Sequence, residues 1–465
     1  MINSRRDFLR GAGCVALVGA TGGRGASARA AEQETVTLHA RPGTARLAPP
    51  GYPQTPVWGY DGSVPGPTIR VPHGQRVTRR FVNGLPQPST VHWHGVRIEN
   101  SMDGVPELTQ RSVQPGAEFL YDFEPPDAGT WWYHSHHRTW EQMARGLYGA
   151  LVVEERIAPQ VDWDEVLLLD DWRLTNDATL QESFGALHDW AHAGRMGNWI
   201  TVNGDGAWRR ASSRHERLRL RLVNAANARI FVLELQRMEG WVVALDGQPL
   251  PAPMGAGALV LSPGERADLI VDVVGAEGEE ALLATRDRED PYTLAAFPIQ
   301  GVARKARLPA PSPLPPNPVP PLGDLASARH ATLRMEGGAM GRMRQAMLGG
   351  RMVGVRELAE QGKVWAFNGL AEMPDEPLLS ASLGETVRLT MVNATAWPHA
   401  MHLHGHHFRA VASDGATGPL RDTVLMDREE TLDIAFVADN PGDWLLHCHM
   451  PEHSVAGMKT WVRVA

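Results

Sequence analysis

Three stretches of the chain alternate charged or polar side chains with apolar ones, and each ends in the dipeptide Val-Asn. They are residues 76–83, 217–224 and 386–393. Strict alternation is typical of a β-strand with one buried face, and a terminal Asn favours a turn. Nine residues after the three asparagines lie His92, Leu233 and His402. The shared spacing predicts three similar β units, one around each of these strands.

A second motif repeats in the same three places. Residues 129–136 read Gly-x₄-His-Ser-His, and residues 442–449 read Gly-x₄-His-Cys-His. The middle stretch instead has Leu-Ala-Thr at 283–285 after Gly278. We therefore expect the two outer units to hold metal and to meet face to face, with the middle unit as a spacer.

The two outer units differ in one respect. Ser135 stands where Cys448 stands, and Leu147 aligns with Met458. The first unit therefore lacks the thiolate and thioether that the third unit offers to a metal.

Length and composition fit three β units. A chain of 465 residues corresponds to about three domains, and its 47 Gly and 35 Pro indicate many turns. We predict an all-β fold of three consecutive β-sandwiches. The first unit is placed at residues 36–156 and the middle unit at 157–305. A linker at 306–323 contains eight Pro, and the third unit spans 324–465.

The N-terminal residues 1–30 have the pattern of a twin-arginine signal peptide. Residues 4–9 read Ser-Arg-Arg-Asp-Phe-Leu, and residues 28–30 form an Ala-x-Ala cleavage site. The apolar run between them is too short to span a membrane. We expect export in the folded state to the periplasm or outside the cell. Cys448 would then be the only cysteine left, so an internal disulfide is excluded.

The charge disfavours some partners. The formal net charge is −8, and loss of five Arg and one Asp with residues 1–30 makes it more negative by four. An acidic protein binds nucleic acid and anionic membranes poorly, so neither is expected as a main partner.

The most specific chemistry lies at the end of the third unit. Cys448, His453 and Met458 offer a thiolate, an imidazole and a thioether, which are the ligands of a copper site with two His, one Cys and a weak axial Met. His399 supplies the second imidazole in this interpretation. On a strand, His447 and His449 both face away from Cys448.

Eight further histidines lie in paired motifs. They are His92, His94, His134, His136, His402, His404, His447 and His449. Eight imidazoles suffice for three coppers, two held by three His each and one by two. An electron that reaches the thiolate of Cys448 has a short covalent path to the His on either side.

With these four motifs in this order, the chain resembles the three-domain multicopper oxidases of the laccase-like family. The resemblance spans nearly all of the chain after residue 30. It implies three cupredoxin-like Greek-key β-sandwiches and four coppers per chain. It also implies an oxidoreductase that reduces O₂ to two waters after four one-electron oxidations of a small reductant.

The resemblance also implies ligand roles. The type 1 copper would be held by His399, Cys448 and His453, with Met458 axial. His92 and His402 would bind the type 2 copper. The type 3 pair would take the other six, which are His94, His134, His136, His404, His447 and His449.

A proton supply is expected beside the eight histidines. Asp103 lies eleven residues after His92, where the family often has an acid, and a carboxylate there can relay protons to reduced oxygen. The alternative is that Asp103-Gly104 only forms a turn. Many bacterial members carry an acid after the second type 1 His, whereas this chain has Ser454. Either a Ser–water chain replaces that acid or the proton route differs.

The substrate has two interpretations. Phenols or aromatic amines are the leading one, with Trp397 as part of an aromatic rim. Oxidation of Cu(I) is the alternative, because a Met-rich segment precedes the main strands of the third unit. A lid or adaptable packing is the structural interpretation of that segment, although its glycines disfavour a long helix. The segment contains Met335, Met340, Met343, Met347 and Met352.

Two other classes of protein share part of this pattern. A copper nitrite reductase shares the fold and a type 1 site but needs no type 3 pair. A non-enzymatic scaffold of the same fold is expected to have lost ligands, whereas this chain keeps all of them. The remaining histidines are assigned no coordinating role.

Overall fold

The computed structural model describes residues 36–287 and 290–465, so the predicted signal peptide lies outside the described residues. The first unit consists of two four-stranded sheets, ordered β2-β1-β4-β6 and β3-β8-β7-β5. Its elements are β1 Val36–Ala45, β2 Thr55–Tyr60, β3 Ile69–Pro72, β4 Val77–Asn83, β5 Val91–His94, a 3₁₀ turn Asn100–Met102, β6 Glu118–Phe123, β7 Gly129–Ser135, α1 Thr139–Gln142 and β8 Tyr148–Glu154.

The middle unit also has two sheets. Their strand orders are β10-β9-β13-β18-β15-β16 and β11-β20-β19-β14-β17, with β12 beside β20. Its elements are β9 Trp163–Trp172, α2 Leu187–Ala191, β10 Trp199–Val202, β11 Trp208–Arg209, β12 Ser212–Arg214, β13 Arg217–Asn224, β14 Phe231–Gln236, β15 Met238–Leu245, β16 Gln248–Gly255, β17 Leu259–Leu261, β18 Arg266–Val273, β19 Glu280–Asp287 and β20 Asp290–Val302.

The third unit has two main sheets and a hairpin. The sheets are ordered β24-β21-β26-β31-β28-β29 and β25-β33-β32-β27-β30, and the hairpin is β22-β23. Its elements are β21 Arg329–Gly337, β22 Gln345–Leu348, β23 Arg351–Gly354, α3 Val355–Glu360, β24 Trp365–Phe367, β25 Leu379–Ala381, β26 Thr386–Asn393, β27 His399–Leu403, β28 Phe408–Val411, β29 Thr417–Arg421, β30 Thr423–Met426, β31 Thr431–Val437, β32 Gly442–Cys448, α4 Pro451–Val455 and β33 Lys459–Val464.

The strand pairing repeats from unit to unit. The three alternating stretches form β4, β13 and β26, and each pairs in parallel with the first strand of its unit. The strands that follow, β5, β14 and β27, pair antiparallel with β7, β19 and β32. The threefold repetition predicted from the spacing is therefore confirmed. Each sheet of the described residues keeps to one unit, although the predicted boundaries themselves stay predictions.

Strand β13 departs from the expectation of one exposed face. Its leucines lie in the core of the middle unit, yet its three arginines are also buried. Arg217 forms a bidentate ion pair with Asp272, at 2.6 and 2.8 Å, and Arg219 donates to Asp268 at 2.6 Å. Burial of a charge costs little only when it is paired and hydrogen-bonded, which these contacts achieve. Alternation of Arg and Leu thus marks a strand buried on both faces here.

The Met-rich segment consists of strand and turn rather than helix, and it includes the end of β21 and most of the β22–β23 hairpin. Met335 is fully buried in the core of the third unit, on β21. Met347 and Met352 pair across the hairpin of β22 and β23. Met340 and Met352 are 76% and 51% exposed. Gly349 and Gly350, two of the glycines that disfavoured a helix, lie at the turn of this hairpin with positive φ.

No helix in the described part of the chain has the length and apolar character needed to cross a membrane.

Candidate metal centres

Three side chains of the third unit converge on one point, and we call them the thiolate set: His399, Cys448 and His453. They come from the start of β27, the end of β32 and the helix α4. The Sγ of Cys448 lies 3.7 Å from the Nδ1 of His399 and 3.7 Å from the Nδ1 of His453, and the two nitrogens are 3.1 Å apart. All three residues are fully buried.

Hydrogen bonds fix the tautomers of both imidazoles. His453 donates from Nε2 to the carbonyl of His192 at 2.7 Å. The Thr395 hydroxyl donates to Asn393 at 2.7 Å and therefore accepts from the Nε2 of His399 at 2.9 Å. Each ring thus presents a bare Nδ1 lone pair to the other. Two lone pairs at 3.1 Å repel unless a cation lies between them.

A proton is a poor candidate for that cation. Burial lowers the pKa of His399 well below its usual range, and burial lowers the pKa of His453 to about 4. Burial also raises the pKa of the Cys448 thiol to about 12, so a thiolate at neutral pH needs a metal beside it. The donor set of one thiolate and two neutral imidazoles suits copper.

Met458 lies next to the thiolate set. Its carbonyl accepts from the backbone N–H of Cys448 at 3.1 Å, and its own N–H donates to His453 at 3.0 Å. Its side chain is fully buried in the same core cluster as Cys448. Coordination by its sulfur stays a prediction.

The eight remaining histidines, which we call the histidine cluster, come from two units. His92 pairs with His134 across β5 and β7, and His402 pairs with His447 across β27 and β32. The two halves meet in ring contacts. His94 stacks on His402 with centroids 3.8 Å apart, and the rings of His92 and His404 are 4.0 Å apart.

Ligand atoms within 4.8 Å of one another form three overlapping triplets in this cluster. They are His92–His94–His134, His92–His402–His404 and His136–His404–His447. The ring of His449 lies 4.8 Å from that of His94 and 5.3 Å from that of His134. The structure therefore brings together all eight histidines that the motifs singled out.

The tautomers of the histidine cluster point inward as well. His92, His134, His402 and His447 each donate from Nδ1 to a backbone carbonyl at 2.8 to 3.0 Å. For the first three, the Nε2 atom is buried and has no hydrogen-bond partner among the described residues. Buried nitrogens of this kind are rare unless they bind something.

One pair repeats the geometry of the thiolate set. His404 donates from Nδ1 to Asp103 at 2.9 Å, so its Nε2 is a lone pair. That atom faces the Nε2 of His447 at 3.1 Å. Burial lowers the pKa of both rings well below the usual range. A metal cation again fits better between them than a proton.

Strand alternation separates the two ligand sets as predicted. Cys448 belongs to the thiolate set, whereas His447, one residue away, belongs to the histidine cluster. One peptide bond therefore joins ligands of the two sets.

Asp103 lies inside the histidine cluster rather than at a surface turn. It is fully buried. Its carbonyl accepts from Nδ1 of His92 at 2.8 Å, and its carboxylate accepts from Nδ1 of His404 at 2.9 Å. It therefore touches one histidine from each outer unit.

Sequence reasoning missed the buried ion pair of Arg266 and Asp422. Arg266 comes from the middle unit and donates to both carboxylate oxygens of Asp422, at 2.7 and 2.6 Å. That carboxylate accepts from Nε2 of His94 at 3.2 Å, and the Asp422 carbonyl accepts from Nδ1 of His402 at 2.8 Å. These bonds leave Nδ1 of His94 free to face the cluster. Asp422 lies 328 residues from His94 and in no motif, so no sequence signal connected them.

A cavity of about 590 Å³ leads to the histidine cluster. His136 and His447 line it, and Ser454, Glu107 and Lys459 contribute polar groups to its wall. Ser454 thus lines the same cavity as these histidines, and both alternatives for the proton route stay predictions.

Comparison with known proteins agrees with this geometry. Two family models, each described as "Multicopper oxidase", match residues 43–157 and 352–465. The multicopper oxidase MmcO of Mycobacterium tuberculosis is 30% identical over 98% of this chain and 96% of its own length. Laccase-1 of Botryotinia fuckeliana is 27% identical over 87% and 77%. A copper resistance protein A homolog of Pseudomonas syringae pv. tomato is 24% identical over 87% and 88%.

Solved structures give the same result. Lac15 from a marine microbial metagenome is 40% identical, covers 92% of this chain and 100% of that one, and superposes with a TM-score of 0.75. The multi-copper oxidase of Pseudomonas thermotolerans is 33% identical, covers 93% and 99%, and has a TM-score of 0.80.

Proposed function

Since the chain belongs to the multicopper oxidase family, whose members are oxidoreductases that use O₂, we propose that it oxidises phenols and aromatic amines. The thiolate set, with Met458, would hold one copper, and the histidine cluster would hold three. Copper at these ligands supplies reversible one-electron chemistry at the first site and the reduction of O₂ to water at the second. The observation that carries the proposal is the facing lone pairs at 3.1 Å in both sets.

The residues around the ligands have separate tasks in this proposal. Cys448 and His447 join the two sets through one peptide bond, which gives electrons a short covalent path. Asp103 holds the ring of His404 and offers a carboxylate from which a proton can pass into the cluster. Buried histidines with lowered pKa values stay neutral and keep their lone pairs for metal.

Oxidation of Cu(I) is the second candidate. Met340 and Met352 are exposed thioethers, and one relative is named a copper resistance protein. Two observations favour the aromatic substrates. Met335 is buried in the core, and the run before His399 holds Thr395 in a hydrogen bond to that histidine instead of an acid or Met.

Turnover on a phenol and on Cu(I), each with O₂ uptake recorded, separates the two candidates. We expect phenol oxidation to be unchanged in the variant Met352→Leu, because Leu keeps the apolar volume of this exposed side chain. A selective loss of Cu(I) oxidation in that variant would establish the cuprous activity.

Export of the folded protein to the periplasm or beyond is part of the proposal. It rests on the twin-arginine pattern at residues 4–9 and the Ala-x-Ala site at residues 28–30.

A further inference from the structure

The thiolate set has no direct contact with solvent. His399, Cys448, His453 and Met458 are fully buried. The indole of Trp365 closes one side, with ring centroids 5.0 Å from His399 and 4.7 Å from His453. A reductant therefore cannot touch a ligand ring, and electrons must cross at least one further residue.

The outward nitrogen of His453 identifies that residue. Its Nε2 donates to the carbonyl of His192 at 2.7 Å. His192 follows α2, so the segment that covers the third unit's thiolate set comes from the middle unit. A carbonyl in hydrogen-bond contact with a ligand imidazole is the shortest connection from that ring to the outside.

Aromatic rings continue the path to the surface. The imidazole of His192 stacks on that of His188 with centroids 4.1 Å apart and planes inclined by 11°. It also meets the indole of Trp397 edge-on at 5.4 Å. His188 is exposed, with 78% of its side-chain surface open to solvent. The rings of His188 and His192 thus form a stacked pair that begins in solvent, and the backbone carbonyl of His192 connects this pair to His453.

Hydrogen bonds to backbone carbonyls hold the segments around these rings in place. The N–H of Ala339 donates to Ala191 at 2.7 Å, and Trp397 donates from Nε1 to the Ala339 carbonyl at 2.9 Å. Trp365 donates from Nε1 to the carbonyl of Trp190 at 2.6 Å. The middle and third units are therefore joined around these rings, which favours a rigid docking surface over a mobile flap.

We propose that a flat aromatic reductant docks on the ring of His188 and passes its electron through His192 to His453. This inference rests on the proposed function. A docked phenol loses one electron and its hydroxyl proton, which leaves a phenoxyl radical. The electron would pass to a copper held by His399, Cys448 and His453, and the phenol proton would pass to solvent at the exposed ring of His188.

The surroundings favour an aromatic molecule over an ion. Leu187 and Met340 are 48% and 76% exposed. Leu187 directly precedes His188 in the sequence, and Met340 follows Ala339, whose N–H donates to Ala191. Apolar side chains next to an open ring face suit a flat, weakly polar molecule.

The test measures anaerobic bleaching of the blue absorption band by a phenol in stopped flow. His192→Ala keeps the carbonyl but removes the ring, and we expect it to slow bleaching by roughly tenfold, as for the loss of an aromatic contact. His192→Phe keeps a flat ring and should restore most of the rate. His330→Gln, a change at an exposed histidine on β21, should have no effect. The blue band and the reduction potential should be the same in all four proteins.

A binding measurement gives a readout without turnover. In the fully reduced enzyme, the redox-inert ether anisole should shift the NMR signals of the His188 and His192 rings, and His188→Ala should weaken its binding. Equal bleaching rates in His192→Ala and the parent, with the blue band intact, would overturn the inference. The inference would also be overturned if anisole shifted only the NMR signals of other residues. The same holds if His192→Ala slowed bleaching by Cu(I) but not bleaching by the phenol. A parent protein that has no blue band would instead overturn the proposed function.

Discussion

The thiolate set and the histidine cluster both lie on β-strands of cupredoxin-like units, but they differ in how many units supply their residues. The thiolate set lies within one unit, on β27, β32 and the helix that follows. The histidine cluster is divided between two units, and residues as far apart as Asp103 and His404 meet in it. The side chains of the first site therefore all come from one β-sandwich, with His192 of the middle unit bonded to one of them, whereas those of the second come from two units. Changes in one set should leave the other able to bind metal.

The largest effect is expected from Cys448→Ser. A hydroxyl does not replace a thiolate as a ligand of the first copper, so the blue colour and the oxidase activity should disappear. The histidine cluster should still bind its three coppers, measured by metal analysis and by electron paramagnetic resonance. A variant that stays blue would contradict the ligand assignment.

His94→Ala and His136→Ala test whether the thiolate set keeps its copper when the histidine cluster is damaged. Each removes an imidazole of the histidine cluster, so O₂ reduction should stop. The blue band should persist and should still bleach with a reductant, because the thiolate set lies in the third unit alone. Loss of the band from a folded variant, checked by circular dichroism, would show that the sets are not independent.

Asp103→Asn should have a smaller effect, confined to the histidine cluster. The amide oxygen can still accept from His404, but it cannot hold a transferable proton. We expect O₂ uptake to fall by about a hundredfold while bleaching by reductant keeps its rate. An unchanged O₂ uptake rate would rule out Asp103 as the proton relay.

Arg266→Met tests how much the middle unit stabilises the histidine cluster through the ion pair with Asp422. It leaves the Asp422 carboxylate buried without its cation, which should cost about 3–5 kcal/mol of unfolding free energy. Copper in the histidine cluster should fall, and the blue band should remain. The matched control is Arg463→Met at an exposed pair with Asp443, where less than about 1 kcal/mol is expected. Equal costs in denaturant titrations would contradict this role for Arg266.

The sequence was sufficient to predict the three repeated β units and the metal-binding motifs, whose residues are neighbours along the chain. The histidine motifs sit at fixed distances from alternating strands, so both ligand sets could be located. The residues that orient those ligands could not be found in this way. Asp422, Arg266 and His192 reach the sites across unit interfaces, and each resembles an ordinary surface or core residue in the sequence.

Two sequence patterns did not predict the burial of their residues correctly, and each has a physical reason. The Arg–Leu alternation of β13 suggested an exposed face, but pairing with acids allows the arginines to be buried. The spacing of the methionines could not distinguish a lid from a hairpin, because thioethers fit core and surface equally well. Burial of Met335 and exposure of Met340 became visible only in the structure.

The division of the histidine cluster between two units bears on how the protein matures. A nascent chain that has completed only its first unit presents His92 and His94 without their counterparts, and it cannot assemble the site. Copper that binds after folding ties distant segments together, and a ligand that binds only the native state stabilises that state. Copper that binds after folding would thus stabilise the contact between the first and third units. Copper bound to the histidine cluster should therefore slow unfolding more than copper bound to the thiolate set.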